Sequence, residues 1–270
     1  MSNALHSEVV IQRHPKQGGT TFLQKDQVAV EEPLEIRIGG VSVAVSMRTP
    51  GNDRELAAGF LLSEGIVKQP NDFIEIAHCL VGEPSVQGNV LNVFLNPNVE
   101  FDATQLNRHT FASSSCGICG KATIESLRHI FPPCRTPISF NLELLQNLPP
   151  RMREAQSGFA QTGGLHAAGL FDFEGRLRSL FEDVGRHNAV DKVLGHALLG
   201  GWLPLENHIL LVTGRSSFEM VQKAWAGGIS LLASVSAPSS LAVELAHEAN
   251  LTLVGFLRGN SFNLYSPKPS

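Results

Sequence analysis

Between residues 209 and 257 the chain has almost no room for anything but alternating strands and helices. Residues 209–213, 229–235 and 251–257 are short apolar runs of strand length, and residues 216–226 and 239–249 carry helical periodicity between them. A strand–helix–strand–helix–strand order implies neighbouring parallel strands joined by right-handed crossovers. Such sheets bind ligands beyond the carboxyl ends of their strands. The fold class expected is therefore α/β, α+β overall, with a mostly parallel sheet.

Three loops follow those strand ends: Thr213-Gly214-Arg215-Ser216-Ser217, Ala237-Pro238-Ser239-Ser240 and Arg258-Gly259-Asn260-Ser261. Two of them open helices, where unpaired N–H groups hold anions. Hydroxyl and guanidinium groups suit a phosphorylated or nucleotide ligand. Any one loop alone reads better as an ordinary turn or cap; three at one sheet edge favour a binding site.

Upstream, residues 165–173 and 176–181 read as two strands joined at Glu174-Gly175. They lead into Glu182-Asp183-Val184-Gly185-Arg186-His187-Asn188-Ala189-Val190-Asp191-Lys192. The polar groups crowd the start of a helix whose apolar stripe is Val190, Val193, Leu194, Ala197 and Leu198. Asp183, Arg186, His187, Asp191 and Lys192 are more charges than a core helix start carries without a purpose; taken singly, Asp183 equally fits a cap and Arg186 with Asp191 a solvated pair, while His187 fits a proton donor or anion contact. His166 reads as a core histidine. Lys223, on the helix after the Thr213 loop, reads as facing solvent.

The N-terminal part is plainer. Residues 1–27 read as a flexible arm. Residues 34–38 and 41–45 alternate around Gly39-Gly40 as a hairpin does. Asn52 or Asp53 caps a helix running to about Glu64, and strands follow near 74–80 and 90–95. A helix starting near Leu142 is expected to break at Pro149-Pro150. These limits divide the chain into the arm, an α+β part over 28–110, a cysteine loop and helix over 111–134, and an α/β core over 135–270.

The cysteine loop is Ser113-Ser114-Ser115-Cys116-Gly117-Ile118-Cys119-Gly120-Lys121, ahead of a helical run over 122–130. A thiol at a helix N-terminus has a lowered pKa and a larger nucleophilic fraction. Cys116 and Cys119 fit half a zinc site, a redox pair or a carrier of sulfur in transit. Cys79 reads as a buried small hydrophobe and Cys134 as structural. With four cysteines and no apolar leader, the chain fits a cytoplasmic protein without a disulfide framework, although an all-cysteine zinc site stays open. Its 25 acidic and 21 basic residues give no bulk attraction to nucleic acid, and no apolar run is long enough to span a membrane. Zinc deaminases place His-x-Glu before Pro-Cys-x-x-Cys. Here His166-Ala167-Ala168 lacks the glutamate and follows the cysteines, so that chemistry is disfavoured.

Taken in order, these runs resemble the formate dehydrogenase accessory sulfurtransferase family (FdhD) from about residue 28 to 266. The resemblance rests on 52–65, the Cys-Gly-Ile-Cys-Gly loop, Thr162-Gly163-Gly164-Leu165-His166, 182–192, 214–223, 237–242 and 253–258. It implies a sulfur carrier that takes sulfur as a persulfide from a cysteine desulfurase. The acceptor implied is the Mo-bis(molybdopterin guanine dinucleotide) cofactor that the formate dehydrogenase catalytic subunit requires. Cys116 is implied as the persulfide carrier with Cys119 as its partner, and Phe256, Leu257, Arg258, Gly259, Asn260 and Ser261 as cofactor contacts. With the loop residues Gly214, Arg215, Ser216 and Ser239, and with His187, they make up the expected site. The resemblance also implies a cytidine-deaminase-like three-layer core, a homodimer and no catalytic metal.

Overall fold

The computed structural model describes residues 5–15, 19–80, 87–101, 120–134 and 141–267. In chain order the first half holds β1 (His6–Arg13), β2 (Phe22–Ala29), β3 (Glu32–Ile38), β4 (Val41–Arg48), α1 (Asp53–Ser63), β5 (Phe73–His78) and β6 (Val90–Leu95). Next come α2 (Gly120–Ile130), α3 (Leu142–Ala155), α4 (Ser157–Thr162), β7 (His166–Asp172), β8 (Leu177–Asp183) and α5 (Arg186–Leu199). The chain closes with β9 (His208–Val212), α6 (Phe218–Ala226), β10 (Leu231–Ser234), α7 (Ser240–Glu248), β11 (Thr252–Arg258) and β12 (Ser261–Ser266).

A six-stranded sheet in the order β12-β11-β10-β9-β7-β8 forms the centre. Its parallel part is confined to β9, β10 and β11, as the alternation of the last third requires. Both flanks are antiparallel, because β7–β8 and β11–β12 are hairpins whose turns use Gly175 and Gly259 at positive φ. Strand residues alternate between two helical layers. Leu210, Val212, Leu232 and Leu253 share one core with residues of α5, α6 and α7, including Val193, Val221 and Leu245. Ile209, Leu211, Leu231 and Val254 face Leu145, Leu148 and Met152 of α3. The result is a three-layer α/β/α arrangement.

A second sheet, β4-β3-β6-β5, packs on α1, and its Leu34, Ile36 and Leu91 join the first of these cores. Ile124, Leu127 and Phe131 of α2 enter the same cluster. Helices α1 and α5 cross with their backbones nearly touching. A Cβ on Gly59 would overlap the Asp191 carbonyl, and one on Gly195 the Glu55 carbonyl. Only glycine permits that approach.

Three expectations change. The arm over 1–27 contains a regular antiparallel ribbon, β1 with β2, in register from His6–Ala29 to Arg13–Phe22, lying near α4. Its residues are only half-buried or exposed, so the sequence carries little strand patterning there. Helix α3 runs through Pro149 and Pro150 to Ala155. Leu145, Leu148 and Met152 are buried against the sheet, and that packing outweighs the lost backbone bonds. Asn52 takes the N-cap place of α1 in a left-handed conformation, without a side-chain cap bond. Among the described residues, no helix is long and apolar enough to cross a membrane.

Candidate functional site

The candidate site is the edge of the six-stranded sheet where β9, β10 and β11 end. The N-terminus of β7 and the C-terminus of β8 lie at the same edge, with His166 opposite Asp183. The loops are laced by main-chain bonds. Ser216 N–H donates to the Ala237 carbonyl at 3.2 Å, and Ser239 N–H to the Ser216 carbonyl at 3.0 Å. Phe256 N–H donates to the Ser236 carbonyl at 3.0 Å. The three loops read from the sequence are thus one surface.

Their side chains divide into exposed and committed groups. Arg215 and Arg258 are exposed, and the Arg258 guanidinium lies 5.5 Å from the centre of the Phe256 ring. Phe256 holds a positive φ of 54°, a strained conformation for an aromatic residue, next to an irregularity in the β11–β12 ladder. Gly259 and Asn260 form the turn, and the Asn260 carbonyl accepts from Gln146 at 2.9 Å. Ser261 is exposed at the start of β12. Three other residues are less available than expected. Leu257 is fully buried against α3. The Ser239 hydroxyl already caps α7 through Ala242 N–H at 3.3 Å. Ser216 is fully buried, and its hydroxyl has no partner.

His187 stands on the first turn of α5. Its Nε2 lies 3.4 Å from the Ser217 hydroxyl, which itself donates to Glu219 at 2.6 Å. The serine proton is thereby committed, so Nε2 is the donor of the His187–Ser217 contact. Burial, reinforced by the Arg186 and Lys223 charges, pushes the His187 pKa down to about 4 against the pull of Glu219. At neutral pH His187 is therefore neutral, and its one N–H is turned to Ser217. Because the folded pKa lies below the unfolded one, this neutral imidazole adds stability above about pH 6.5. That stability is lost as pH falls toward 4. We expect the His187 ring resonances to titrate with a midpoint well below 6; a midpoint between 6 and 7 would contradict the buried, cation-flanked environment.

The polar run before α5 is built chiefly of structural pairs. Asp183 is fully buried and accepts from Gly185 N–H at 2.8 Å, Asn188 at 3.0 Å, Thr49 N–H at 3.2 Å and Lys192 at 2.7 Å. Asp191 does not meet Arg186. It receives Lys223 at 2.7 and 2.8 Å and the Ser63 hydroxyl at 3.1 Å. Lys223 is therefore buried rather than solvent-facing. These pairs tie α5 to the N-terminal part and fix where its first turn sits.

Two residues at the edge were undervalued in the sequence. Arg186 lays its stem along Gly214, where a Cβ would sit 2.9 Å from its Cδ, and its Nε is buried without a partner. The signal available was a basic residue directly after Gly185, where a strand gives way to a helix. His166 is not a core residue; it borders a cavity, with Nδ1 3.4 Å from the Thr213 hydroxyl. Burial, then the Arg186 charge, lowers its pKa, with Asp183 opposing them.

Cys116 and Cys119 lie outside the described residues. Helix α2 begins at Gly120, the residue after Cys119. Cys134 is buried and donates to the Ile229 carbonyl at 3.4 Å; burial pushes its thiol up to about 11, which keeps it protonated. Cys79 is half-buried at the end of β5, bonded through its N–H to Val90.

The FdhD/NarQ family model matches residues 29–269. A sulfur carrier protein FdhD from Streptomyces coelicolor is 49% identical over 92% of this chain and 90% of its own. The protein of that name from Sulfurisphaera tokodaii is 44% identical over 92% and 93%. A crystal structure of a protein from Desulfotalea psychrophila, described as a formate dehydrogenase accessory protein, superposes with a TM-score of 0.76. It has 27% identity and covers 98% of this chain and 99% of that one. The chain belongs to the FdhD/NarQ family.

Proposed function

We propose that the chain is a sulfur carrier for formate dehydrogenase maturation. It takes sulfur as a persulfide on Cys116 from a cysteine desulfurase. The acceptor is the Mo-bis(molybdopterin guanine dinucleotide) cofactor, held at the C-terminal edge of the six-stranded sheet. The observation that carries this reading is a Cys-x-x-Cys pair directly ahead of α2, in a chain 49% identical to a protein named as a sulfur carrier. Support for the acceptor comes from Arg186, Arg215 and Arg258, whose donors are gathered at one edge and suit the phosphates of a dinucleotide.

The transfer balances without an added oxidant. The Cys116 thiolate attacks the terminal sulfur of the desulfurase persulfide; a new S–S bond forms as the old one breaks, and the desulfurase cysteine leaves as a thiolate. The Cys119 thiolate then attacks the Cys116 sulfur. A Cys116–Cys119 disulfide forms and the carried sulfur leaves, reduced by two electrons, as hydrosulfide for the acceptor. A cellular dithiol reduces the disulfide and resets the pair.

The test is intact-protein mass after incubation with a cysteine desulfurase, cysteine and pyridoxal phosphate. A reducible gain of one sulfur is expected in the wild type and in Cys119→Ala, and none in Cys116→Ala. No gain in the wild type would overturn the carrier reading. Loss only in Cys119→Ala would move the site to Cys119.

A further inference from the structure

The ribbon of β1 and β2 forms a sheet of its own. Its residue pairs run without a bulge over about 24 Å. Apart from each other, the two strands pack mainly on α4. At the base of the ribbon Val30 N–H donates to the Leu5 carbonyl at 3.1 Å, and a Cβ on Gly164 would lie 3.5 Å from that of Ala29. Arg13 faces Phe22 at the opposite end.

Three apolar side chains of the ribbon lie in solvent. Val10 is 68% exposed, Leu23 73% and Phe22 49%. Val10 stands opposite Lys25 and Leu23 opposite Gln12, so Val10 and Leu23 share one face and Phe22 lies on the other. A two-stranded ribbon is marginally stable by itself, so apolar groups left in water on both its faces mark a contact surface. The charge around them has one sign. Residues 10–25 include Arg13, Lys16 and Lys25 and no acidic residue, in a chain of 25 acidic and 21 basic residues. Arg13 and His14 are exposed, and Lys25 is shared with Glu8 at 2.7 Å.

The anchorage selects the partner. Helix α4 is tied to the edge of the six-stranded sheet through Glu182, which accepts from the N–H groups of Gly158 and Phe159 at 2.8 Å each. It thereby sets the base of the ribbon beside the edge that holds the acceptor in the proposed function. We propose that the ribbon docks the enzyme that receives the cofactor, in an acidic groove with apolar walls. One wall covers Val10 and Leu23, the other covers Phe22, and the acidic groups meet Arg13 and Lys25. A second copy laid ribbon to ribbon would bring like charges together. A bilayer fits less well, because the apolar side chains lie behind a tip of polar residues, Arg13, His14, Thr20 and Thr21. The inference rests on the proposed function, since it names the partner that approaches the acceptor edge.

Binding of the full chain to the cofactor-free formate dehydrogenase catalytic subunit, measured by interferometry, tests this. Arg13→Glu and Leu23→Asp are each expected to weaken binding about tenfold or more, and Arg13→Lys to stay within about twofold of the wild type. Lys68→Glu makes the same change of charge at an exposed residue outside the ribbon and is expected to bind as the wild type does. Wild-type affinity is expected to fall as salt rises from about 50 to about 300 mM, because exposed charges make the contact. All the substituted residues are exposed, so thermal midpoints should hold. Undiminished binding by both Arg13→Glu and Leu23→Asp, or no binding by the wild type, would overturn the inference. A change of oligomeric state in these variants would overturn it in favour of a second copy. Wild-type binding to phosphatidylglycerol vesicles, lost in Leu23→Asp, would overturn it in favour of a membrane. Sulfur loading of Cys116, measured by mass on the same variants, is expected to be unchanged. Intact loading with undiminished docking would remove the ribbon assignment alone, whereas ribbon-dependent docking without loading would remove the carrier reading.

Discussion

Asp183→Ala is expected to cost about 3–5 kcal/mol of unfolding free energy, the scale seen when one partner of a buried ion pair is removed. The carboxylate is fully buried and meets four donors: two main-chain N–H groups, the Asn188 amide and the Lys192 ammonium. After truncation Lys192, only 2% exposed, keeps a single acceptor, the Thr49 carbonyl at 3.0 Å. A charge so placed cannot reach water. Asp183→Asn keeps the volume but turns an amide donor toward one of the existing donors, so a smaller loss is expected. The double variant Asp183→Ala/Lys192→Met is expected to recover part of the loss, because it removes the stranded charge. Urea unfolding of the wild type, Asp183→Ala, Lys192→Met and the double variant closes the cycle that gives the coupling energy. A single-variant loss under 1 kcal/mol would mean that water or relaxation replaces the carboxylate. The consequence also reaches the site, since Asp183 holds Gly185 and Asn188 and so sets the first turn of α5, where Arg186 and His187 begin.

This network also marks how far the sequence could be read. The alternation in the last third located β9, β10 and β11 and the edge where their loops gather, because apolar period and Gly/Ser-rich loops are local signals. The charge pattern was legible only as an excess. Asp191 pairs with Lys223, 32 residues away, and Asp183 bonds Thr49, 134 residues away. Spacing along one helix suggests Arg186 for Asp191, and only the packing of α6 against α5 brings Lys223 instead. The proline pair was read correctly for an isolated helix. It failed because Leu145, Leu148 and Met152 all face the sheet, so tertiary burial holds the turns on either side. His166 was misjudged for a related reason: its strand neighbours are apolar, but it is the first residue of β7, where the sheet gives way to the cavity.

Cys116→Ala is expected to abolish formate dehydrogenase maturation outright. The test expresses this chain in a host lacking its own carrier and measures formate-dependent dye reduction. Sulfur delivery through a persulfide needs a nucleophile that can form an S–S bond, and a methyl side chain has none. The residual rate should therefore be that of the strain without any carrier. Cys116→Ser makes the same point with a side chain of similar size: the hydroxyl is far more basic than a thiol and cannot hold sulfane sulfur, so it too should fail. The edge is built by the β9, β10 and β11 loops, which are bonded to one another and lie far along the chain from Cys116. Both variants should therefore retain wild-type stability and wild-type affinity for the dinucleotide acceptor. The split between lost transfer and retained binding separates a sulfur carrier from a cofactor chaperone. A chaperone whose cysteines only shape a loop would lose little on Cys116→Ser, since that change preserves the loop's bulk. Wild-type maturation by Cys116→Ala would end the persulfide assignment. Loss of acceptor binding together with maturation would instead mean that the cysteine loop is part of the binding surface.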